Sequence, residues 1–334
     1  MTVKIASAGA WHTHAKDFAN RIKTIPIPGC KLDAVFDFDP EKAKQWAEEK
    51  DCRCFTDYEE LIHDPEIDGI MVTCQATRHA ELLIRAVEAG KNVYVEKSLA
   101  TTREDALRIK EAVHKAEEKF GIHFVMSDPV QKGPVLYAKK LMDEGKFGKV
   151  LLVRSRNLHN FALTDPELVK CYQTPEESGG GVMLDMGHHS VHAINFLLGR
   201  PVSVTGTFQS VNDYAKSTGV DDFATMSFQY ADGAIGIAEG SLVTGKYAGG
   251  LEVVGTNGYL LYNPLTGVHC AFEGEEPYTV PDSELPKGWM SPQVYWVECI
   301  RENKPCEMYG VDEACEITEM ICAGYESKGR EVKV

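Results

Sequence analysis

The first third of the chain alternates short apolar runs with amphipathic stretches of helical period. Residues 3–8 and 32–36 have the composition of buried strands, and further strands are predicted at 69–73, 92–95 and 122–126. Predicted helices separate these runs: 15–25, with Phe18 and Ile22 on its apolar side, 40–49, 57–63, 77–89 and 102–121. Strands separated by helices of this length predict βαβ units and a parallel sheet, in which ligands bind at the carboxyl ends of the strands.

Helix boundaries carry their own signals. Asp39 followed by Pro40 supplies an N-cap and a first-turn proline, and Asp57 is placed to cap the next short helix. Thr102 with Asp105 begins a capping box, and Gly121 is placed to end that helix. These signals support the helical assignments.

From about residue 150 the pattern becomes that of strands joined by tight turns. Strands are predicted at 149–156, 202–210, 222–230, 234–242, 251–254 and 259–262, and two late helices at about 292–302 and 311–327. Asp232-Gly233 and Asn257-Gly258 are typical hairpin turns. We therefore predict an α/β chain: a doubly wound parallel sheet in domain 1–124, and an α+β domain, 125–334, with a large open, mostly antiparallel sheet. One face of that second sheet should be free for a helix or a partner subunit.

Composition narrows the class of protein. At 334 residues the chain is long enough for two domains, and 43% hydrophobic with 25% charged residues describes a globular protein without a membrane-spanning run. A net charge of −15 argues against a nucleic-acid partner. Ten scattered cysteines fit reduced thiols, and the N-terminus leads directly into a strand, so we expect no signal peptide and a cytoplasmic location.

The turn after the first strand has the place of a dinucleotide-binding loop. Of the three glycines in G-x-G-x-x-G, Gly9 is present, whereas Trp11 and His14 occupy the other two positions. The second strand ends at Asp37, 23 residues beyond His14, where an acid that binds the cofactor ribose belongs. The alternative is a plain strand–helix turn without a ligand. With Asp37 repelling a 2′-phosphate and Phe38 offering no guanidinium, we expect NAD(H) rather than NADP(H).

A second group of polar residues ends the predicted strand at 92–95. Glu96 and Lys97 follow it, where a lysine would face the ligand and could share a proton with it. The alternative is a surface ion pair. We expect the Lys97–Ser98 peptide bond to be trans unless the site imposes otherwise, because a cis bond before serine costs about 2.5–4 kcal/mol.

The most distinctive stretch is Gly179-Gly180-Gly181 followed by Asp185, His188, His189 and His192. At helical period these four residues lie at i, i+3, i+4 and i+7, which predicts one carboxylate and three imidazoles on one face. The glycines should free the N–H groups of the helix N-terminus for a polar or anionic group. Two alternatives remain: a buried helix whose histidines are only hydrogen-bonded, and a metal held by Asp185, His188 and His192. Adjacent His188 and His189 should point to different sides of the site, which disfavours the metal.

These features and their order along the chain resemble those of the glucose-fructose oxidoreductase/inositol dehydrogenase (Gfo/Idh/MocA) family. The resemblance rests on Glu96-Lys97, on Gly-Gly-Gly-x-x-x-Asp-x-Gly-x-His from Gly179 to His189, and on the degenerate turn with Asp37. Ser98 stands where the family has proline after the lysine, Cys74-Gln75-Ala76 where Thr-Pro-Asn is usual, and His192 where aspartate is common.

The resemblance implies a Rossmann domain and an NAD-dependent oxidoreductase that transfers hydride between nicotinamide and a secondary hydroxyl of a sugar, inositol or related polyol. It implies three sets of residues without a metal. The catalytic set is Lys97, Asp185 and His189; the cofactor set is Gly9, Ala10, Trp11, His12, Asp37, Cys74, Gln75, His79, Glu96 and Lys97; the substrate set is Lys97, Arg156, His159, Asp185, His188 and His189.

Other activities share this fold. One rival is an NAD-using glycoside hydrolase or lyase that acts through transient oxidation of a sugar carbon, and another is a cofactor-free sugar-binding relative. Family members often assemble through the second sheet, so we expect a homodimer or homotetramer formed by that surface.

Overall fold

A six-stranded parallel sheet forms the first part of the computed structural model, which describes residues 2–15, 27–128, 132–288, 290–330 and 332–334. The strand order is β3-β2-β1-β4-β5-β6, and every neighbouring pair is parallel. The strands are β1 (Val3–Ala8), β2 (Cys30–Phe36), β3 (Arg53–Phe55), β4 (Gly69–Val72), β5 (Asn92–Glu96) and β6 (Phe124–Ser127). This order reverses direction between β1 and β4, the position at which doubly wound sheets open a ligand crevice.

Helices connect these strands as the capping residues predict. They are Pro40–Lys50, Tyr58–His63, the 3₁₀ turn Ala76–Arg78, His79–Glu88 and Arg103–Phe120. Asp39, Asp57 and Thr102 accept backbone N–H groups at the three predicted caps, and Gly121 ends its helix in the left-handed conformation. The helix predicted at 15–25 lies almost entirely outside the described residues.

The chain divides into two units: Met1–Asp128 with Met290–Thr318, and Pro129–Trp289 with Glu319–Val334. The predicted division at residue 124 is close to the first crossing, but the late helix Pro292–Glu302 belongs to the first unit. Trp296 of that helix is fully buried, and its indole N–H donates to the His123 carbonyl at 3.1 Å. This long-range packing brings the late helix back to the first unit. A single division point along the sequence cannot represent such a return.

The second unit is built on a nine-stranded sheet of order β14-β13-β12-β11-β7-β10-β9-β8-β15. Only the β7–β10 pair is parallel among these described strands, so the sheet is mostly antiparallel as predicted. The strands are β7 (Val150–Leu158), β8 (Ser203–Gln209), β9 (Phe223–Gln229), β10 (Ile235–Ser241), β11 (Gly250–Gly255), β12 (Gly258–Asn263), β13 (Gly267–Phe272), β14 (Tyr278–Val280) and β15 (Val332–Lys333). The last three were not predicted.

One long helix, Val182–Leu198, packs on β7, β9 and β10. The unit also contains the helices Gly133–Asp143, Phe161–Thr164, Pro166–Val169, Pro175–Ser178 and Asp213–Thr218, and the end of Val311–Ser327. On β10, Gly236, Ala238 and Gly240 are buried, whereas Ile235 and Ile237 alternate with them and are more exposed. The sheet therefore has one face covered by the long helix and a second face that carries partly exposed apolar side chains.

No helix in the described parts of the chain is both long enough and apolar enough to span a lipid bilayer.

Candidate active site

The turn after β1 brings the ends of three strands together. Gly9 has φ +85°, and a Cβ atom there would lie 2.5 Å from the Cys74 Cβ, so only glycine fits. The Ala10 N–H donates to Asp37 Oδ2 at 3.0 Å, and the Asp39 N–H donates to Asp37 Oδ1 at 3.0 Å. Asp37 is thus fixed beside the turn at the carboxyl end of β2, where the ribose of a dinucleotide lies in this class of sheet.

Gly9, Ala10, Asp37 and Cys74 are therefore brought together, as predicted for a cofactor site. Cys74 is buried beneath Gly9, and Gln75 is half-buried at the start of the following 3₁₀ turn. Trp11 is half-buried, with its ring centroid 6.1 Å from that of His12. The close approach at Gly9 and the position of Asp37 fit an NAD-type dinucleotide.

Glu96 is a buried carboxylate of this region, and two imidazole rings and Lys97 act on it. It is fully buried at the end of β5; His12 Nε2 lies 3.6 Å from Oε2, and His14 Nδ1 lies 3.3 Å from Oε1. Burial by itself raises the pKa of a carboxyl group, but His12, His14 and Lys97 outweigh it and lower the pKa of Glu96 to about 2. Glu96 is therefore ionised near neutral pH. His14, absent from the predicted set, belongs to this group.

Within the described residues, the metal-binding atoms that come within 4.8 Å of one another belong to His12, His14 and Glu96, not to Asp185, His188 and His192. The His14 N–H donates to His12 Nδ1 at 3.2 Å, so in a neutral ring the proton is on Nε2, which faces Glu96. A protonated Nε2 has no lone pair for a metal. We therefore interpret the cluster as an ionised carboxylate with two imidazole rings beside it.

Lys97 follows Glu96 and is 4% exposed, so the surface-pair alternative does not apply. The Lys97–Ser98 peptide bond is cis, and the expectation of a trans bond was wrong. Tertiary contacts decide the local geometry here: Ser98 is buried, and its carbonyl lies 2.8 Å from His79 Nδ1. His79 Nε2 lies 3.3 Å from the Cys74 carbonyl, so this buried ring links the chain after β4 to the chain after β5. Burial lowers the pKa of His79, so the ring is neutral and donates from one nitrogen only; the nearer acceptor is the Ser98 carbonyl. The His79 ring therefore supports the two segments that carry Lys97 and Cys74.

In the second unit, the helix Val182–Leu198 carries the remaining predicted catalytic residues. Asp185 and His189, one turn apart, are half-buried, whereas His188 and His192 are fully buried. Of the four polar residues predicted on one face, only Asp185 and His189 are therefore partly exposed.

The N-terminus of this helix receives a polar and anionic group, as expected, and that group comes from the protein itself. The Val182 N–H donates to the Asp221 carbonyl at 2.8 Å, and the Met183 N–H donates to Asp221 Oδ2 at 2.9 Å. The Gly181 N–H donates to the Tyr325 hydroxyl at 3.1 Å, and that hydroxyl donates to Asp221 Oδ1 at 2.9 Å. A Cβ atom at Gly181 would lie 2.1 Å from the Asp221 carbonyl oxygen. The glycine is needed for the approach of Asp221.

Gly187, the glycine of the Asp-x-Gly-x-His run, has a similar packing role. A Cβ atom on Gly240 of β10 would lie 3.0 Å from the Gly187 Cα. Helix and strand therefore touch through two glycines, which sets the height of Asp185 and His189 above the sheet.

Arg156 of β7 and His159 of the loop after it were both predicted to bind substrate, and the structure places them in different surroundings. Arg156 lies on the sheet face away from the helix and pairs with Glu252 at 2.7 Å, so it is not brought together with Asp185 and His189. Alternation places Asn157 on the opposite side, where its Nδ2–H donates to the Met186 carbonyl at 3.0 Å. His159 Nε2 lies 3.0 Å from Asn157 Oδ1, and its ring stacks on Phe161. His159 is therefore connected to the helix through Asn157, which the sequence analysis missed; strand periodicity was the available signal.

Two parts of the chain match described families. Residues 4–124 match an oxidoreductase family with an NAD-binding Rossmann fold, and residues 135–261 match the GFO/IDH/MocA C-terminal domain.

Several individual proteins are similar to the chain at low sequence identity. The chain is 26% identical to scyllo-inositol 2-dehydrogenase (NAD(+)) of Bacillus subtilis (strain 168), over 93% of this chain and 89% of the relative. It is 30% identical to 2,7-anhydro-N-acetylneuraminate hydratase of Mediterraneibacter gnavus, over 63% of this chain and 54% of the relative. Among solved structures, levoglucosan dehydrogenase in complex with NADH and levoglucosan has a TM-score of 0.82 at 19% identity and full coverage of both chains, which shows a common fold.

Proposed function

Since the chain belongs to the Gfo/Idh/MocA oxidoreductases with an NAD-binding Rossmann domain, we propose that it oxidises a secondary hydroxyl of a sugar, inositol or related polyol, with NAD as hydride acceptor. The observation that carries this proposal is the pair of Asp185 and His189, half-buried one turn apart on a helix whose other two histidines are buried. Accessible base and carboxylate at this spacing suit the removal of a hydroxyl proton.

His189 is the proposed base, because an imidazole is the side chain best matched to proton transfer near neutral pH. Asp185, one turn earlier, orients that imidazole or accepts a neighbouring substrate hydroxyl. NAD supplies the acceptor for the hydride that leaves the carbinol carbon.

Lys97 is proposed to hydrogen-bond the reacting oxygen and to stabilise negative charge on it. The positive charge of Lys97 helps to lower the pKa of Glu96, and the Lys97 backbone N–H donates to Glu96 Oε2 at 3.3 Å. The His79 ring supports the same segment through Ser98. These contacts hold the lysine in a defined place, which catalysis by charge requires.

The similarity to a hydratase of an anhydro sugar favours a second candidate. In that reading NAD⁺ would accept the hydride of a sugar carbon while the same base and lysine serve its hydroxyl group, the neighbouring C–H becomes acidic, a bond to oxygen is broken, and the hydride is returned to the carbon. The two candidates differ in product: the first accumulates NADH and a ketone, the second leaves the NAD pool unchanged.

A panel of substrates separates them. Purified protein with NAD⁺ is offered scyllo-inositol, myo-inositol, levoglucosan, aldoses and an anhydro sugar, with NADH followed at 340 nm and products identified by mass spectrometry. Net NADH with one ketone per NADH supports the dehydrogenase. Product formation without net NADH supports the second candidate, and no reaction with NAD binding intact contradicts both for these substrates.

A further inference from the structure

A guanidinium group lies next to the acidic end of β2. The Cζ atom of Arg78, at the end of the 3₁₀ turn after β4, is 3.8 Å from the centroid of the Phe38 ring, and Phe38 directly follows Asp37. This is the position at which the adenosine ribose of a dinucleotide lies in a sheet of this order. From the sequence we expected no positive group beside Asp37, because Phe38, the residue that follows it, carries none.

Within the part of the chain that the structure describes, no carboxylate pairs with Arg78. Arg53, Arg85 and Arg108 of the same unit each pair with one or two acids at 2.5–3.1 Å. Arg78 is exposed and has no such pair among the residues the structure describes, although the chain has a net charge of −15. Its guanidinium group stacks on Phe38.

Asp37, by contrast, already uses both oxygens. Each accepts one backbone N–H at 3.0 Å, from Ala10 and from Asp39. These donors stabilise the negative charge of the carboxylate and fix its direction.

We propose that Arg78 is the binding site for a phosphate on the adenosine 2′-oxygen, so that the chain accepts NADP(H) as well as NAD(H). The inference rests on the proposed dinucleotide function and extends it to the phosphorylated cofactor. Arg78 selects the phosphate through its planar fork of donors, which matches two phosphate oxygens at once. Phe38 holds the plane of the guanidinium by cation–π stacking and leaves the edge of the fork free.

Equilibrium binding of NADH and NADPH, followed by nicotinamide fluorescence, tests the proposal in wild type, Arg78→Ala and Arg85→Ala. Arg85 is the matched control: it also lies over an aromatic ring, Tyr58, at 5.2 Å, but pairs with Glu59 and Glu81. We expect wild type to bind NADPH within about tenfold of NADH. Arg78→Ala should weaken NADPH binding about 10- to 100-fold and NADH binding less than about threefold, the range lost with a charged hydrogen bond. Arg85→Ala should change neither.

Equal weakening of both cofactors by Arg78→Ala would assign the guanidinium to adenine stacking and overturn the proposal. An unchanged NADPH affinity would overturn it as well, as would a wild type that binds NADH but not NADPH. Failure of wild type to bind either cofactor would instead contradict the proposed dinucleotide function.

Discussion

A buried glutamate is the residue that most clearly separates what the sequence predicts from what packing adds. The sequence places Glu96 at the carboxyl end of a parallel strand, and that position is confirmed. Its partners His12 and His14 belong to a turn more than eighty residues earlier, and nothing in strand period indicates that they face it. That contact depends on how strands that are distant in the sequence align with one another in the sheet.

Glu96 gives a prediction for acid stability. Because its pKa is lowered to about 2 from 4.5, the folded state binds this proton more weakly than the unfolded state. The stabilisation is present above about pH 4.5 and is lost as the pH falls towards 2. We expect Glu96→Gln to lower the free energy of unfolding at pH 7 by about 3 kcal/mol and to flatten its pH dependence over that window.

Urea unfolding from pH 2.5 to 7 measures both effects. Glu41→Gln, which removes an exposed carboxylate paired with Lys44, serves as the control. A Glu96→Gln variant with wild-type stability and an unchanged acid slope would show that Glu96 is not held ionised by its neighbours.

His189 carries the proposed proton transfer, so its substitution should act on turnover. We expect His189→Ala to lower kcat by roughly 10²–10⁴-fold with little change in NAD affinity, because proton transfer is lost while the nucleotide turn is unaltered. Lys97→Ala should also suppress turnover. His63→Ala, an exposed histidine beside Glu59, is the control and should leave kcat unchanged. A near-normal kcat in His189→Ala, or activity lost with EDTA and restored by zinc, would assign the chemistry to another base or to a metal.

Among the elements, the helix Val182–Leu198 shows what a local pattern predicts and what it leaves open. Its ends, its Asp185/His189 spacing and the approach of a polar group to its N-terminus follow from the sequence. The identity of that group does not, because Asp221 and Tyr325, which satisfy the first N–H groups, are 38 or more residues away. By contrast the caps at Asp39, Asp57 and Thr102 act within three residues and are all confirmed.

Asp221 gives the helix a pH dependence of opposite sign to that of Glu96. Burial, the largest influence, raises the pKa of Asp221 to about 6 from 3.8, although Met183 and Tyr325 donate to it. The folded state therefore binds this proton more tightly, so the stabilisation is full below about pH 3.8 and is lost as the pH rises through 6, by about 3 kcal/mol. Asp221→Asn keeps a carbonyl acceptor but cannot titrate.

We expect the Asp221→Asn variant to lose the decline in unfolding free energy between pH 4 and pH 6.5, measured by urea unfolding at half-unit steps. Asp213→Asn, at a fully exposed site, should keep the wild-type profile. The assignment fails if Asp221→Asn retains the same decline.

For the whole molecule, the two sheet types follow from the sequence, since strand–helix alternation and hairpin turns are local patterns. The return of Pro292–Glu302 to the first unit and the weak strands β13–β15 do not, because they depend on packing across the chain. The open face of the second sheet carries Ile235, Tyr259 and Leu261, each 38–43% exposed. Apolar side chains grouped on one sheet face are typical of a protein–protein interface.

That face predicts assembly of the chain with itself. Light scattering at micromolar concentration should give two or four times the 37.0 kDa chain mass. Leu261→Glu should shift the mass towards one chain, because a buried carboxylate without a partner is costly. Leu265→Glu, at a turn residue that is 89% exposed, should not. A monomeric wild type would contradict the prediction.

Transfer of a deuterium atom tests the proposed activity most directly. Protein and NAD⁺ are incubated with scyllo-inositol deuterated at its ring carbons, or with the likewise deuterated compound that the substrate panel identifies, and the cofactor and product are analysed by mass spectrometry. The proposed hydride transfer predicts reduced cofactor that is one deuterium heavier than NADH, formed in equal amount with the ketone. Turnover of the substrate without deuterium in the nicotinamide would contradict it.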